Sequence, residues 1–195
     1  MKPLKKFIIL AIITLLLAIT ATLTTRYASI YIYKNFGEPP VIKDLLWTKL
    51  PYLKVMWLSE IFLVFSIFYI IIYGLSKKNL KLALYSSVLI SIFHIIRAGL
   101  ITLTPMGFPY TYEGFIHSRT LIFTLGAFPS GHLSVPSLIF MITKSKIVLI
   151  LAFLVGITLL ISRGHYSIDL IGTLLLVYPL FKFSEKYLRK FFEND

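Results

Sequence analysis

Two short segments carry the residues best suited to chemistry: Phe128-Pro129-Ser130-Gly131-His132 and Ser162-Arg163-Gly164-His165-Tyr166-Ser167-Ile168-Asp169. They set two histidines, an aspartate and an arginine beside long apolar runs. An ionisable group in lipid is costly unless it has a partner or a task. His165 and Asp169 are four residues apart, which on a helix puts them on one face within hydrogen-bonding reach. A carboxylate that holds one imidazole nitrogen leaves the other to act as nucleophile or base. The second segment also opens an apolar run, and a helix start there would offer free amides and a positive dipole end to an anion. Arg163 could clamp that anion.

The first segment repeats the design. Gly131 lets the backbone approach a ligand closely. Ser130 and the amides after Pro129 could bind phosphate oxygens, and His132 could act as general acid to a leaving oxygen. Each segment also has a plain structural reading: a helix-start turn for the first, and for the second an interfacial cap in which Asp169 pairs with Arg163 or a lysine. Their pairing at one predicted depth favours chemistry.

Arg97 lies in a third apolar run, with His94 three residues before it on the same face. A buried arginine needs a carboxylate, carbonyls or an anionic ligand. A phosphate-facing Arg97 is expected. Asp169 and Glu60 are its candidate protein partners, with Glu60 in a structural role, and His94 is expected to be a polar packing residue. Two histidines and two carboxylates could instead hold a transition-metal ion. No carboxylate neighbours His132, however, and the surrounding charge is basic, so phosphate fits better and no metal or other cofactor is expected. His117, Tyr110, Tyr112 and Arg119 could touch a headgroup, although solvated loop residues are the plainer expectation.

The elements that must position these residues are apolar. Of 195 residues, 57% are hydrophobic, more than a soluble domain carries. The runs are long enough to cross a bilayer, which takes roughly 20 residues. The expected fold is all-α: a single domain over residues 1–195, a bundle of six transmembrane helices. The spans are read as Phe7–Leu23, Val55–Leu75, Leu80–Leu103, Leu121–Ile142 with its true helix starting near Pro129, Ile147–Ile161, and His165–Phe181. The first is read as a retained anchor rather than a signal peptide. There is no cysteine, which excludes disulfides and thiolate metal sites. The net charge of +12 would point to nucleic acid in a soluble protein; here the basic residues flank apolar runs, which fits anionic lipid headgroups and no nucleic acid.

Lysine and arginine placement favours cytoplasmic termini in a plasma membrane, with both histidine segments at the extracytoplasmic face. The stretch from Arg26 to Lys54 is expected to lie along the interface as short amphipathic pieces, and Thr104 to Thr120 as a lid over the outer site. Ser184 to Asp195 reads as a solvated or surface-lying helix.

The two motifs resemble those of the type-2 phosphatidic acid phosphatase superfamily, and within it the sphingomyelin-synthase-like branch most. Ser130-Gly131-His132 matches that branch's serine-glycine-histidine motif. His165-Tyr166-Ser167-Ile168-Asp169-Leu170 is similar to its histidine-tyrosine-threonine-x-aspartate-valine motif. Arg97 through Pro109 looks like its segment in which an arginine precedes a threonine- and proline-bearing loop. The resemblance implies a membrane lipid phosphatase or headgroup phosphotransferase. His165 would attack phosphorus to form a phosphohistidine, Asp169 would orient it, and His132 would protonate the departing alcohol. Arg97, Ser130, Gly131 and Arg163 would hold the phosphate oxygens of a phospholipid or lipid phosphate, with no metal required. An isoprenyl or undecaprenyl pyrophosphate phosphatase shares these residues. A non-catalytic lipid-binding or transport protein that keeps the cluster for structure is the third reading.

Overall fold

The computed structural model describes residues 3–37, 39–107 and 128–192, and among these the regular structure is entirely helical. The first helix, α1 (Pro3–Phe36), runs well past the expected end at Leu23. No proline or glycine follows Pro3 until Gly37, and the polar side chains do not interrupt the helix. Thr20, Thr22, Thr24, Thr25 and Ser29 each donate to the carbonyl one turn earlier. The helix stops at Gly37, which takes the left-handed conformation with φ 68°. Arg26 to Phe36, expected as interfacial pieces, is therefore helix. At 1.5 Å per residue α1 is about 50 Å long, well beyond a bilayer's hydrocarbon core. The rest of the connection holds one 3-10 turn, Leu46–Thr48.

Among the described residues five more α-helices follow: α2 (Met56–Ser76), α3 (Lys81–Leu103), α4 (Gly131–Thr143), α5 (Lys146–Ile161) and α6 (Ser167–Tyr187). Among the described residues four helices, α1, α2, α3 and α6, are long and apolar enough to cross a membrane. With 13 and 16 residues, α4 and α5 are shorter. The expected lid from Thr104 to Thr120 is described only as far as Gly107; its remainder and the first part of the fourth run, to position 127, lie outside the described residues.

Short turns join α2 to α3, α4 to α5 and α5 to α6, so these neighbours run antiparallel. α1 lies parallel to α3, with Ala28 and Ile32 against Ala98 and Ile101. The starts of α2, α4 and α6 and the ends of α1, α3 and α5 thus share one end of the bundle. Lys77, Lys78, Lys81, Lys144, Lys146, Lys182, Lys186, Arg189 and Lys190 gather toward the other.

The main core joins Tyr85, Leu89 and Phe93 of α3 to Leu138 of α4 and to Val177 and Phe181 of α6. Phe192 packs against Tyr85, 5.4 Å between ring centres, so the tail expected as a solvated or surface-lying helix returns an aromatic ring to the core. A second cluster, Met56, Leu133, Val155, Leu159 and Leu170, fills the end where α4 and α6 begin.

At that end α6 meets the residues before α4 closely: a Cβ on Gly172 would run into the Phe128 ring. Gly172→Val should therefore overpack this contact and lower stability by about 1–3 kcal/mol. Gly156→Ala, whose Cβ would lie 3.9 Å from Leu133 Cδ1, should be neutral or stabilising by about 0.5–1 kcal/mol. Thermal unfolding of the two variants in one detergent checks both signs; an unaffected Gly172→Val would contradict this packing.

Candidate active site

Both histidine segments lie at helix starts, and the local details differ from the spacing argument. α4 begins at Gly131, near Pro129 as expected, with Ser130 in the cap position, its hydroxyl accepting Leu133 N–H at 3.4 Å. α6 begins at Ser167, so His165 precedes the helix instead of sharing its face with Asp169. The expected bond forms by another route. Asp169, in the first turn, reaches back as the carboxylate of a capping box does. Its Oδ2 accepts Tyr166 N–H at 2.9 Å and meets His165 Nδ1 at 3.0 Å. The imidazole and the carboxylate are both buried, at 2% and 0% exposure.

The two helix starts are stitched together. Ser130 N–H donates to the Asp169 carbonyl at 3.3 Å. The Thr173 hydroxyl lies within hydrogen-bonding distance of the Ser130 carbonyl, 3.1 Å, and of the Asp169 carbonyl, 2.7 Å. This places the half-buried His132 edge-to-face with His165, 5.9 Å between ring centres.

α3 brings Arg97, which is 4% exposed and donates from Nε to the Pro129 carbonyl at 2.7 Å. The charge of Asp169 acts on that guanidinium. A carbonyl thus takes Nε, one of the partner types expected for a buried arginine. His94 lies against the same turn, and a Cβ on Gly131 would sit 2.8 Å from its Cε1 and 3.7 Å from Arg97 Nε. Only glycine leaves this approach open.

His132, His165, Asp169, Arg97, Ser130 and Gly131 therefore converge. Arg163 sits in the turn before His165 with φ 53°, its guanidinium 5.2 Å from the Tyr52 ring centre. Glu60 is buried on α2. Tyr110, Tyr112, His117 and Arg119 lie outside the described residues.

Several residues of this end were not singled out by sequence reasoning. Thr173 is one turn after Asp169, a hydroxyl on the apolar run's buried face. The fully buried Tyr166 donates its hydroxyl to the Gly107 carbonyl at 2.8 Å and accepts Ile42 N–H at 3.2 Å. Its ring stacks on Trp47, 4.7 Å between centres. Asp44 accepts Ser167 N–H and Leu46 N–H. Its signal was available: an acid set among Lys43, Lys49 and Lys54.

A histidine with Nδ1 tied to a carboxylate presents Nε2 as the reactive nitrogen. A second histidine nearby, a buried arginine and two helix starts surround it with groups suited to an anion. Among the described residues no three histidine, aspartate or glutamate side chains gather as a metal site. Compared with family models, with curated proteins and with solved structures, the chain finds no match in any of the three.

Burial raises the Tyr166 phenol above its ordinary pKa of 10.0; the Ile42 N–H opposes this, while Asp169 and Asp44 add to it. A raised folded-state value means that the neutral phenol stabilises the fold fully below pH 10.0 and loses that contribution as pH rises through the folded value. Tyr166→Phe should cost about 1–3 kcal/mol by stranding Gly107 O and Ile42 N–H. The gap in melting temperature between the native chain and Tyr166→Phe should be constant from neutral pH to near 10.0 and shrink above it. A gap that persists into strong alkali would contradict the hydroxyl's role.

Proposed function

We propose that this chain is an integral membrane lipid phosphatase or headgroup phosphotransferase working through a phosphohistidine on His165. The reading places it with the type-2 phosphatidic acid phosphatase superfamily, nearest the sphingomyelin-synthase-like branch. The observation that carries it is the convergence of His165, Asp169, His132 and Arg97 from three helices at one end of the bundle.

In this reading the His165 Nε2 lone pair attacks phosphorus while Asp169 holds the Nδ1 proton and stabilises the positive charge that develops. The P–O bond to the lipid alcohol breaks, its electron pair goes to that oxygen, and His132 delivers the proton it needs. Arg97, Ser130, Gly131 and Arg163 receive the phosphate oxygens, and burial strengthens each of these attractions. Water or a second alcohol then attacks phosphorus, His132 takes its proton, and the N–P bond breaks to return neutral His165. The donor set favours an anion over a metal ion throughout.

The bundle is proposed to cross the membrane six times, with the short α4 and α5 completing the site. The basic residues at the end opposite the site support cytoplasmic termini and an extracytoplasmic site in a plasma membrane.

Purified protein incubated with phospholipids labelled in the headgroup phosphate tests this. Released phosphate or phosphorylated headgroup indicates hydrolysis, and a new headgroup-bearing lipid indicates transfer. Turnover of isoprenyl pyrophosphates alone would assign the isoprenyl pyrophosphate phosphatase reading. His165→Ala should lower turnover by about a thousandfold or more. His132→Ala should slow substrates with poor leaving groups most, and a chelator should change nothing. Near-normal turnover by His165→Ala, loss of activity on chelation, or no turnover of any lipid phosphate would contradict the proposal.

A further inference from the structure

The connection between α1 and α2 takes no part in the proposed chemistry, yet it is bonded to Tyr166 and Ser167, which lie between His165 and Asp169 in the chain. Asp44, buried at 8% exposure, accepts Ser167 N–H on Oδ2 at 2.6 Å and Leu46 N–H on Oδ1 at 2.8 Å. Ser167 is the first residue of α6, and no side-chain cap comes from Tyr166 before it. The carboxylate at this helix start therefore comes from 123 positions earlier in the chain. The same connection stacks Trp47 on the Tyr166 ring and gives Ile42 N–H to its hydroxyl.

We propose that Asp44 is a positioning residue for His165: by capping α6 from outside, it reserves Asp169 Oδ2 for His165 Nδ1 and the Tyr166 amide. The catalytic meaning of that hold rests on the phosphohistidine reading; the hold itself does not.

Acceptors compete at this helix start. The first amides of a helix have no intrahelical partner and need an acceptor. Asp169 Oδ2 already serves two donors, and Asp169 Oδ1 is buried with no hydrogen-bond partner among the described residues. If Asp44 is removed, Ser167 N–H is orphaned two residues from Asp169. The unpartnered Oδ1 is then the acceptor at hand, and the turn of the carboxylate that brings it to Ser167 N–H moves Oδ2 off His165 Nδ1. The tautomer of a neutral imidazole follows the bond its other nitrogen makes. Losing the bond at Nδ1 lets the proton move to Nε2 and withdraws the lone pair that would attack phosphorus.

The test uses the full chain in lipid nanodiscs with 15N-labelled histidine, the His165 signals being assigned by their loss in His165→Gln. Nitrogen shifts give the tautomer populations, and kinetics on a lipid phosphate give kcat and KM. The native chain should show His165 almost wholly as the Nδ1–H tautomer. Asp44→Ala should give a mixture, with kcat down about tenfold or more and KM within about twofold. Asp44→Asn, whose single carboxamide oxygen can accept only one of the two amides cleanly, should fall between. Leu45→Ala, altering a neighbour that is 76% exposed, should match the native chain.

A folded Asp44→Ala with the native tautomer would overturn the proposal. Should that variant fail to fold, the native tautomer in Asp44→Asn would overturn it equally. A tautomer shift in a chain that turns over no lipid phosphate would uphold the hold by Asp44 and remove the phosphohistidine reading instead.

Discussion

A carboxylate buried among apolar helices must be surrounded by donors and positive charge, and Asp169 imposes that requirement on this end of the bundle. Its Oδ2 takes the Tyr166 amide and His165 Nδ1, while the start of α6 supplies the favourable end of a helix dipole. Arg97 adds a full positive charge from α3. Arg97 is itself buried and gives Nε to the Pro129 carbonyl, which fixes the turn that leads into α4. The backbone of that turn closes the circuit, since Ser130 N–H donates to the Asp169 carbonyl and Thr173 bonds the carbonyls of both residues. Three helices are thus held in register by one buried anion and its neighbours.

This polar circuit rests on an apolar base. Tyr85, Leu89 and Phe93 lock α3 against α4 and α6 in the middle and far part of the bundle, and the Met56–Leu133–Leu159–Leu170 cluster does so next to the site. α1 packs alongside α3, and its extension to Phe36 delivers the following connection to the site end. Close approaches at Gly172 and Gly131 show how little space separates the packed helices from the polar residues. A shift in packing there moves the groups that hold His165.

The sequence exposed the candidate site where chemistry and spacing coincide. His165 and Asp169 were recognisable four residues apart, as were the paired Ser-Gly-His turn and an arginine inside an apolar run. The reason for the His165–Asp169 bond was not readable, because a shared helix face and an N-terminal carboxylate reaching back give the same four-residue spacing. α1 runs past its expected end for a different reason. Arg26, Tyr27 and Tyr31 look interfacial by type, yet the chain has no helix breaker before Gly37, and polar side chains can bond back onto their own helix. Asp44 is visible in the sequence only as an acid among lysines, because its partner amide lies far away in the chain. Tyr166 stood beside a motif histidine but gave no sign that its hydroxyl would bind Gly107 and Ile42. Local spacing reports local bonds, and contacts between distant segments emerge only with the packing.

Covalent capture is the most direct measurement of the proposed chemistry. The purified chain would be mixed with a phosphate-labelled lipid substrate, quenched in alkali to preserve a nitrogen–phosphorus bond, and digested for mass spectrometry. The phosphoryl group should be found on the peptide that carries His165, on Nε2, and should be absent from His165→Ala. Turnover of that lipid with no label on His165 at any time before steady state, or with the label on another residue, would contradict the phosphohistidine mechanism.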